Sequence, residues 1–172
     1  MRIAILSDTH DHIANCRAAV TYCNSYGVQL LIHCGDLISP FMLIELEKFN
    51  GPVHLIYGNN VGDQHLISQA CGVKYSTITH HGLLGAVEAG GVRFAFHHLP
   101  HTARMIANQG GFDVVCCGHT HIYKIEEIGD VLLVNPGDLH GGKEQPGFVI
   151  YETTSRTTER VDIGVPFFPE EM

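Results

Sequence analysis

The chain has little positive charge. Ten Lys and Arg stand against 18 Asp and Glu, for a formal net charge of −8 at neutral pH. No run of Lys or Arg occurs, which argues against extended nucleic-acid binding, because that affinity rests on neutralising phosphates. Long apolar runs are missing as well. None approaches the roughly 20 residues of a membrane span, and the opening "MRIAIL" is too short for a signal peptide. A cytoplasmic protein without a membrane partner is expected. The C-x-x-C pattern is also missing among six cysteines, so there is no zinc-ribbon or thioredoxin signature. Most cysteines sit in apolar segments and are expected to be buried free thiols in a reducing compartment. No repeat, low-complexity segment or linker divides the 172 residues, so a single domain over 1–172 is expected.

What is abundant is histidine, at 13, much of it beside Asp, Asn or Gly at the ends of apolar runs. The run Ile3-Ala4-Ile5-Leu6 reads as a buried strand and opens directly onto "SDTHDH". Ile13, Cys16, Val20 and Cys23 then share one helical face, with Asp11 as the expected N-cap and Gly27 as the stop. "VQLLIHC" is a second strand, reaching Gly35-Asp36. A helix is expected from Pro40 to about Phe49, and "VHLIY" is a third strand ending at Gly58-Asn59-Asn60. Another helix is expected from about Asp63 to Ala70. This alternation implies parallel strands with right-handed crossovers, and in such sheets sites form beyond the carboxyl ends of the strands. The second half is richer in strand. "YSTITHHGLLGAVEAGGVRFAFHH" suggests two or three antiparallel strands, a helix fits Pro100 to Asn108, and "FDVVCCGHTH" is another strand ending in polar residues.

Asp8 and His10 are two apart, as are His119 and His121. In extended chain each pair points to one side. Asp36 and Asn59 each follow a glycine, and His97 ends "VRFAF". Two carboxylates, one amide and four imidazoles thus gather at strand ends. A lone catalytic zinc takes three protein ligands, whereas seven suit two cations about 3.5–4 Å apart with one carboxylate bridging. Nitrogen and oxygen donors without thiolate point to Mn²⁺ first, with Fe²⁺, Zn²⁺ or Ni²⁺ as alternatives. Taken singly, each piece has a plainer reading: a cap, a turn, a core histidine. The five together are far more specific.

The segments "SDTHDH", "HCGD", "YGNN", "FHH" and "CGHTH" stand in the order and spacing of the calcineurin-like metallophosphoesterases. The chain resembles that family, and its small bacterial and archaeal phosphodiesterases in particular, from about Arg2 to Ile163. The resemblance implies an α/β fold, a four-layer αββα sandwich of two mixed sheets flanked by helices, with two divalent metal ions at the sheet edge. Carried over residue by residue, Asp8, His10 and His121 would hold one metal and Asn59, His97 and His119 the other, with Asp36 bridging. Ser7 and Thr9 are expected to satisfy backbone groups. The implied reaction is hydrolysis of a small phosphate ester, most naturally a diester, by a hydroxide bridging the metals.

Two positions depart from the family. After Asn59 a His-Asp, Cys-Asp or Asn-Asp pair is usual, but here Asn60-Val61-Gly62-Asp63 follows. Asn60 can donate a hydrogen bond and no proton, and Asp63 is the only nearby carboxylate to reach back. Where Gly is common after the His97 position, this chain has His98, which either supplies part of the missing function or faces solvent. Asn60 and His98 are therefore the candidate catalytic residues. The rival expectation is a non-catalytic scaffold of the same fold, as in the retromer sorting subunit. A homodimer is compatible with the sequence.

Overall fold

A computed structural model describes residues 1–164. The first sheet has the order β11-β10-β1-β2-β3-β4. Its strands are β1 (Arg2–Leu6), β2 (Leu30–His33), β3 (Val53–Leu55), β4 (Ile78–His80), β10 (Gly147–Glu152) and β11 (Thr157–Asp162). β1 to β4 run parallel, and β10 and β11 add antiparallel pairs. The second sheet has the order β5-β6-β7-β9-β8. It is built from β5 (Leu84–Ala89), β6 (Val92–His97), β7 (Val114–Cys116), β8 (Tyr123–Ile128) and β9 (Val131–Pro136). Four helices complete the fold: α1 (Ile13–Ser25), α2 (Leu43–Leu46), α3 (Gln64–Ala70) and α4 (Pro100–Gln109).

The period-2 alternation of the strands makes the layers. In β1, Ala4 and Leu6 face α1 and α2, while Ile3 and Ile5 face the other sheet. In β6, Phe94 and Phe96 fill the space between sheets, and Ala95 turns outward to Ala103 and Ala107 of α4. The result is the four-layer αββα sandwich of two mixed sheets. Among the described residues, no helix is long and apolar enough to cross a membrane. All six cysteines are free thiols and five are buried. Burial pushes the Cys16, Cys23 and Cys117 thiols up to about 12.

Several local expectations are corrected. α1 is capped by His12, whose Nδ1 accepts from Asn15 N–H at 3.2 Å. Asp11 instead reaches across and accepts from the Ser39 N–H, at 2.9 Å, and from its hydroxyl. The helix does stop at Gly27: that residue has φ 71°, and the Val28 and Gly27 N–H groups return to Cys23 and Asn24 carbonyls, a Schellman end. The Pro40 segment is a 3₁₀ turn, Pro40–Met42, before the short α2. β4 is parallel to β3 and belongs to the first sheet, so only β5 and β6 of that stretch form the antiparallel hairpin.

One ion pair clamps α1 to α2. Glu45 accepts from Arg17 Nε at 3.0 Å and Nη2 at 2.9 Å, and from Lys48 Nζ at 2.7 Å. Hydrogen bonds from Arg17 and Lys48 lower the Glu45 carboxyl to about 2. A depressed carboxyl stabilises the fold above its ordinary value near 4.5 and loses that contribution as pH falls toward 2. Glu45→Gln is therefore expected to lower Tm at pH 7 by an amount worth about 1 kcal/mol or less, because both cations are solvated. The gap from wild type should close as pH is lowered through 4.5. A gap that stays constant down to the acid limit would separate the clamp from charge.

Candidate metal centre

β1, β2 and β3 are parallel, as are β6, β7 and β9, so six carboxyl ends meet at one edge of the sandwich. The loops that follow are stitched by backbone bonds. Asp8 and His10 N–H groups donate to the Gly35 and Asp36 carbonyls, Gly118 N–H to His98, and Leu139 N–H to Ser7.

Six of the seven expected residues converge, all but His97, though not through extended chain. β1 ends at Leu6, and Asp8, His10, Asp36, His119 and His121 all have positive φ, between 43° and 70°. Left-handed turns, each sparsely populated for a residue with a Cβ, aim these side chains inward. Glycine is needed where the loops pass each other. A Cβ on Gly118 would lie 1.8 Å from Ser7 Oγ and 2.4 Å from Asp8 Oδ2, and one on Gly58 would lie 1.9 Å from Asp36 Oδ1.

Asp8 sits at the centre, fully buried. Its Oδ2 accepts from Ser7 Oγ at 2.6 Å and from His119 N–H at 2.8 Å. Its Oδ1 is buried with no hydrogen-bond partner, facing His121 Nε2 at 3.4 Å, His10 Nε2 at 3.6 Å and His98 Nε2 at 3.9 Å. Burial pushes the Asp8 carboxyl up, but the neighbouring His10, His98, Ser7 and His121 more than offset it, and the net shift is downward. The His10 and His121 Nε2 atoms lie 3.2 Å apart. On the other side, Asn59 Oδ1 lies 2.9 Å from His98 Nε2 and 2.7 Å from His119 Nδ1. Between the two groups lies Asp36, 3.5 Å from His10 through Oδ2 and 3.5 Å from His98 through Oδ1.

The two neighbouring histidines exchange the places expected of them. His98 is 2% exposed and lies among Asp8, Asp36 and Asn59, whereas His97 turns the other way, its Nδ1 accepting from Leu99 N–H at 3.1 Å. The reason is parity: His98 continues the inward face of Phe94 and Phe96. Asn60 lies beside Asp36, donating its N–H to Oδ1 at 2.8 Å and its Nδ2 to Oδ2 at 2.6 Å. Asp63 does not reach back; it caps α3 by accepting from Leu66 N–H. Ser7 and Thr9 serve side chains rather than backbone, Thr9 Oγ1 lying 2.5 Å from His33 Nε2. Arg17 is tied to Glu45 and Arg104 to Glu126. Lys143 Nζ donates to the Thr120 carbonyl, between His119 and His121.

Asp138 is absent from the set read from the sequence. It is 1% exposed, and its Oδ2 lies 2.5 Å from His121 Nδ1, which holds His121 above its ordinary value. The signal was present in "NPGD": Gly137-Asp138 repeats the glycine-then-polar pattern of Gly35-Asp36, Gly58-Asn59 and Gly118-His119 at the end of yet another strand.

The donor set fits two divalent cations. A buried carboxylate oxygen without a donor, ringed by imidazole nitrogens close to one another, is a hollow that positive charge satisfies. Asp8, His10 and His121 form one group of potential ligands, and Asp8, Asp36 and His98 another.

Known proteins agree with this architecture. The model of the calcineurin-like phosphoesterase superfamily domain matches residues 1–156. A phosphodiesterase of Methanocaldococcus jannaschii is 37% identical over 148 residues, covering 82% of this chain and 86% of that protein. The solved structure of an archaeal phosphodiesterase superposes with a TM-score of 0.88 at 32% identity, covering 95% of this chain and all of the other. Vps29 from Entamoeba histolytica, solved with zinc, shares the fold alone, at 17% identity and a TM-score of 0.66 over 94% of this chain and 99% of that one. On a match that spans 156 of its 172 residues, the chain belongs to the calcineurin-like phosphoesterase superfamily.

Proposed function

We propose that this chain is a phosphodiesterase that works with two divalent cations at the sheet edge. Asp8, His10, Asp36 and His121 would hold one, and Asp36, Asn59, His98 and His119 the other. The unpartnered Asp8 Oδ1 among three imidazole nitrogens carries the proposal. When bound, two such cations lower the pKa of water between them and offset charge on phosphate oxygens. The chain's own part is orientation. Ser7 and the His119 N–H hold Asp8 so that Oδ1 faces inward. Asn60 holds both oxygens of Asp36. His98 Nδ1 donates to the Cys34 carbonyl at 2.8 Å, which leaves the Nε2 lone pair toward Asn59 and Asp36. Mixed nitrogen and oxygen donors without thiolate suit Mn²⁺, Fe²⁺ or Zn²⁺, of which Mn²⁺ is the ion proposed, and six free thiols suit a reducing cytoplasm.

The substrate class follows from charge. Two divalent cations would outweigh Asp8, Asp36 and the hydroxide they generate by a single charge, which a diester monoanion matches and a monoester dianion exceeds. Arg17 and Arg104 are engaged by Glu45 and Glu126, and neither is free to clamp a second phosphate charge. Aryl diesters are expected to show kcat/KM about tenfold above matched monoesters, the scale of one unmatched charge at high effective dielectric. Because Asn60 offers no proton, alkyl diesters should be slower still. The test is metal content together with turnover of matched aryl mono- and diesters in Mn²⁺ at several pH values. A consistent monoester preference would make Lys143 a phosphate contact and overturn the charge account. Two bound metals without turnover of any ester would favour an interaction scaffold.

A further inference from the structure

We infer that Asp138 is a positioning residue that fixes the tautomer of His121 and makes the cation subsite built on Asp8, His10 and His121 the tighter of the two. The inference rests on the two-cation reading above. An ionised carboxylate only accepts, so the 2.5 Å contact from His121 Nδ1 to Asp138 Oδ2 places the ring proton on Nδ1. The Nε2 lone pair then faces Asp8 Oδ1 and His10 Nε2. Asp138 is itself held. Its Oδ1 accepts from Gly141 N–H at 2.9 Å, and the next residue is tied on both sides: Leu139 N–H donates to Ser7, and Asn15 Nδ2 donates to the Leu139 carbonyl at 2.8 Å. The carboxylate therefore cannot drift from the ring.

Among the described residues, the second subsite lacks such support. Asn59 is neutral and exposed, His119 is exposed, and the group behind His98 is the Cys34 carbonyl, a dipole rather than an anion. A carboxylate behind a ligating histidine raises its basicity and is worth roughly 10–100-fold in metal affinity. The two cations should consequently bind in sequence, the first beside Asp138.

Calorimetric titration of metal-free protein with Mn²⁺ tests this in wild type, Asp138→Asn and Asp138→Ala. Wild type should show two events. Both variants should weaken the tighter one by roughly 10–100-fold and leave the weaker one within about threefold. Asn should be worse than Ala. Of the two backbone donors to this carboxylate, Gly141 N–H to Oδ1 at 2.9 Å is much closer than Gly142 N–H to Oδ2 at 3.4 Å, so it favours the amide oxygen at the Oδ1 position; the amide NH₂ then meets His121 Nδ1 and drives the proton to Nε2, where it blocks the metal. A merely structural role predicts the reverse order, because Asn is isosteric. ¹⁵N NMR of the His121 ring in the metal-free protein reads the tautomer without any metal: Nδ1–H in wild type, Nε2–H in Asp138→Asn. Unchanged affinities, Ala worse than Asn, or Nε2–H in wild type would each overturn the inference. So would a third Mn²⁺ event abolished by His140→Ala, since His121, Asp138 and His140 could themselves gather around a cation. A wild type that binds no Mn²⁺ overturns the two-cation reading and takes this inference with it. Two events in wild type that are unaffected by either variant overturn the Asp138 assignment alone.

Discussion

His98→Ala should lose one metal and about 10³-fold in kcat/KM, while His97→Ala should keep both metals and stay within a few-fold of wild type. A catalytic metal supplies several kcal/mol of charge stabilisation, and each 1.36 kcal/mol is a factor of ten. His98 meets the requirements of a ligand: burial, an Nδ1 bound to a carbonyl, and an Nε2 aimed at Asn59 and Asp36. Among the described residues, His97 has only the Leu99 N–H as its polar contact, and that uses Nδ1. Metal analysis of the two purified variants decides between them. Metal lost from His97→Ala alone would return the role to His97 and require β6 to end with the opposite parity.

Gly118→Ala is expected to be equally damaging by a different route. Its Cβ would overlap Ser7 Oγ and Asp8 Oδ2 at 1.8 and 2.4 Å, and both neighbours are buried at the end of a central strand, with no freedom to step aside. Overpacking of this kind typically costs about 1–3 kcal/mol. Here the relief must also move Asp8, so metal affinity should fall along with Tm. Gly129→Ala is the control. Its φ is +57° with open space around it, so only the left-handed penalty of roughly 1–2 kcal/mol applies, without effect on metal. Equal loss of metal in both variants would mean that general destabilisation, not the overlap, is responsible.

The sequence made much of this legible because strand and site use different alphabets. Apolar runs such as Ile3–Leu6 mark the strands, and the change to Asp, Asn, His and Gly marks where the chain leaves the core. Four things escaped. Left-handed backbone at Asp8 or His119 has no signature when the residue carries a Cβ; only the flanking glycines hint at it. The His97–His98 ambiguity is one of parity, and the answer lay in extending Phe94 and Phe96 by two, against the pull of the first histidine after the strand. Asp138 escaped because "NPGD" resembles an ordinary turn until the ring of His121 is placed against it. The α1 cap failed for a related reason. Asp11 is the stronger capping residue by type, but Ser39 offers it two donors from another loop.

The buried thiols give the protein an internal record of its own opening. Cys16 and Cys23 lie in the layer between the first sheet and its helices, Cys34 and Cys116 between the two sheets, and Cys117 beneath α4. Thiolate is scarce at such sites and alkylating reagents cannot reach them, so each sulfur stays silent until its own layer parts. A brief pulse of reagent followed by peptide mass mapping would thus time-stamp the three interfaces separately, in the native sequence and without any introduced label.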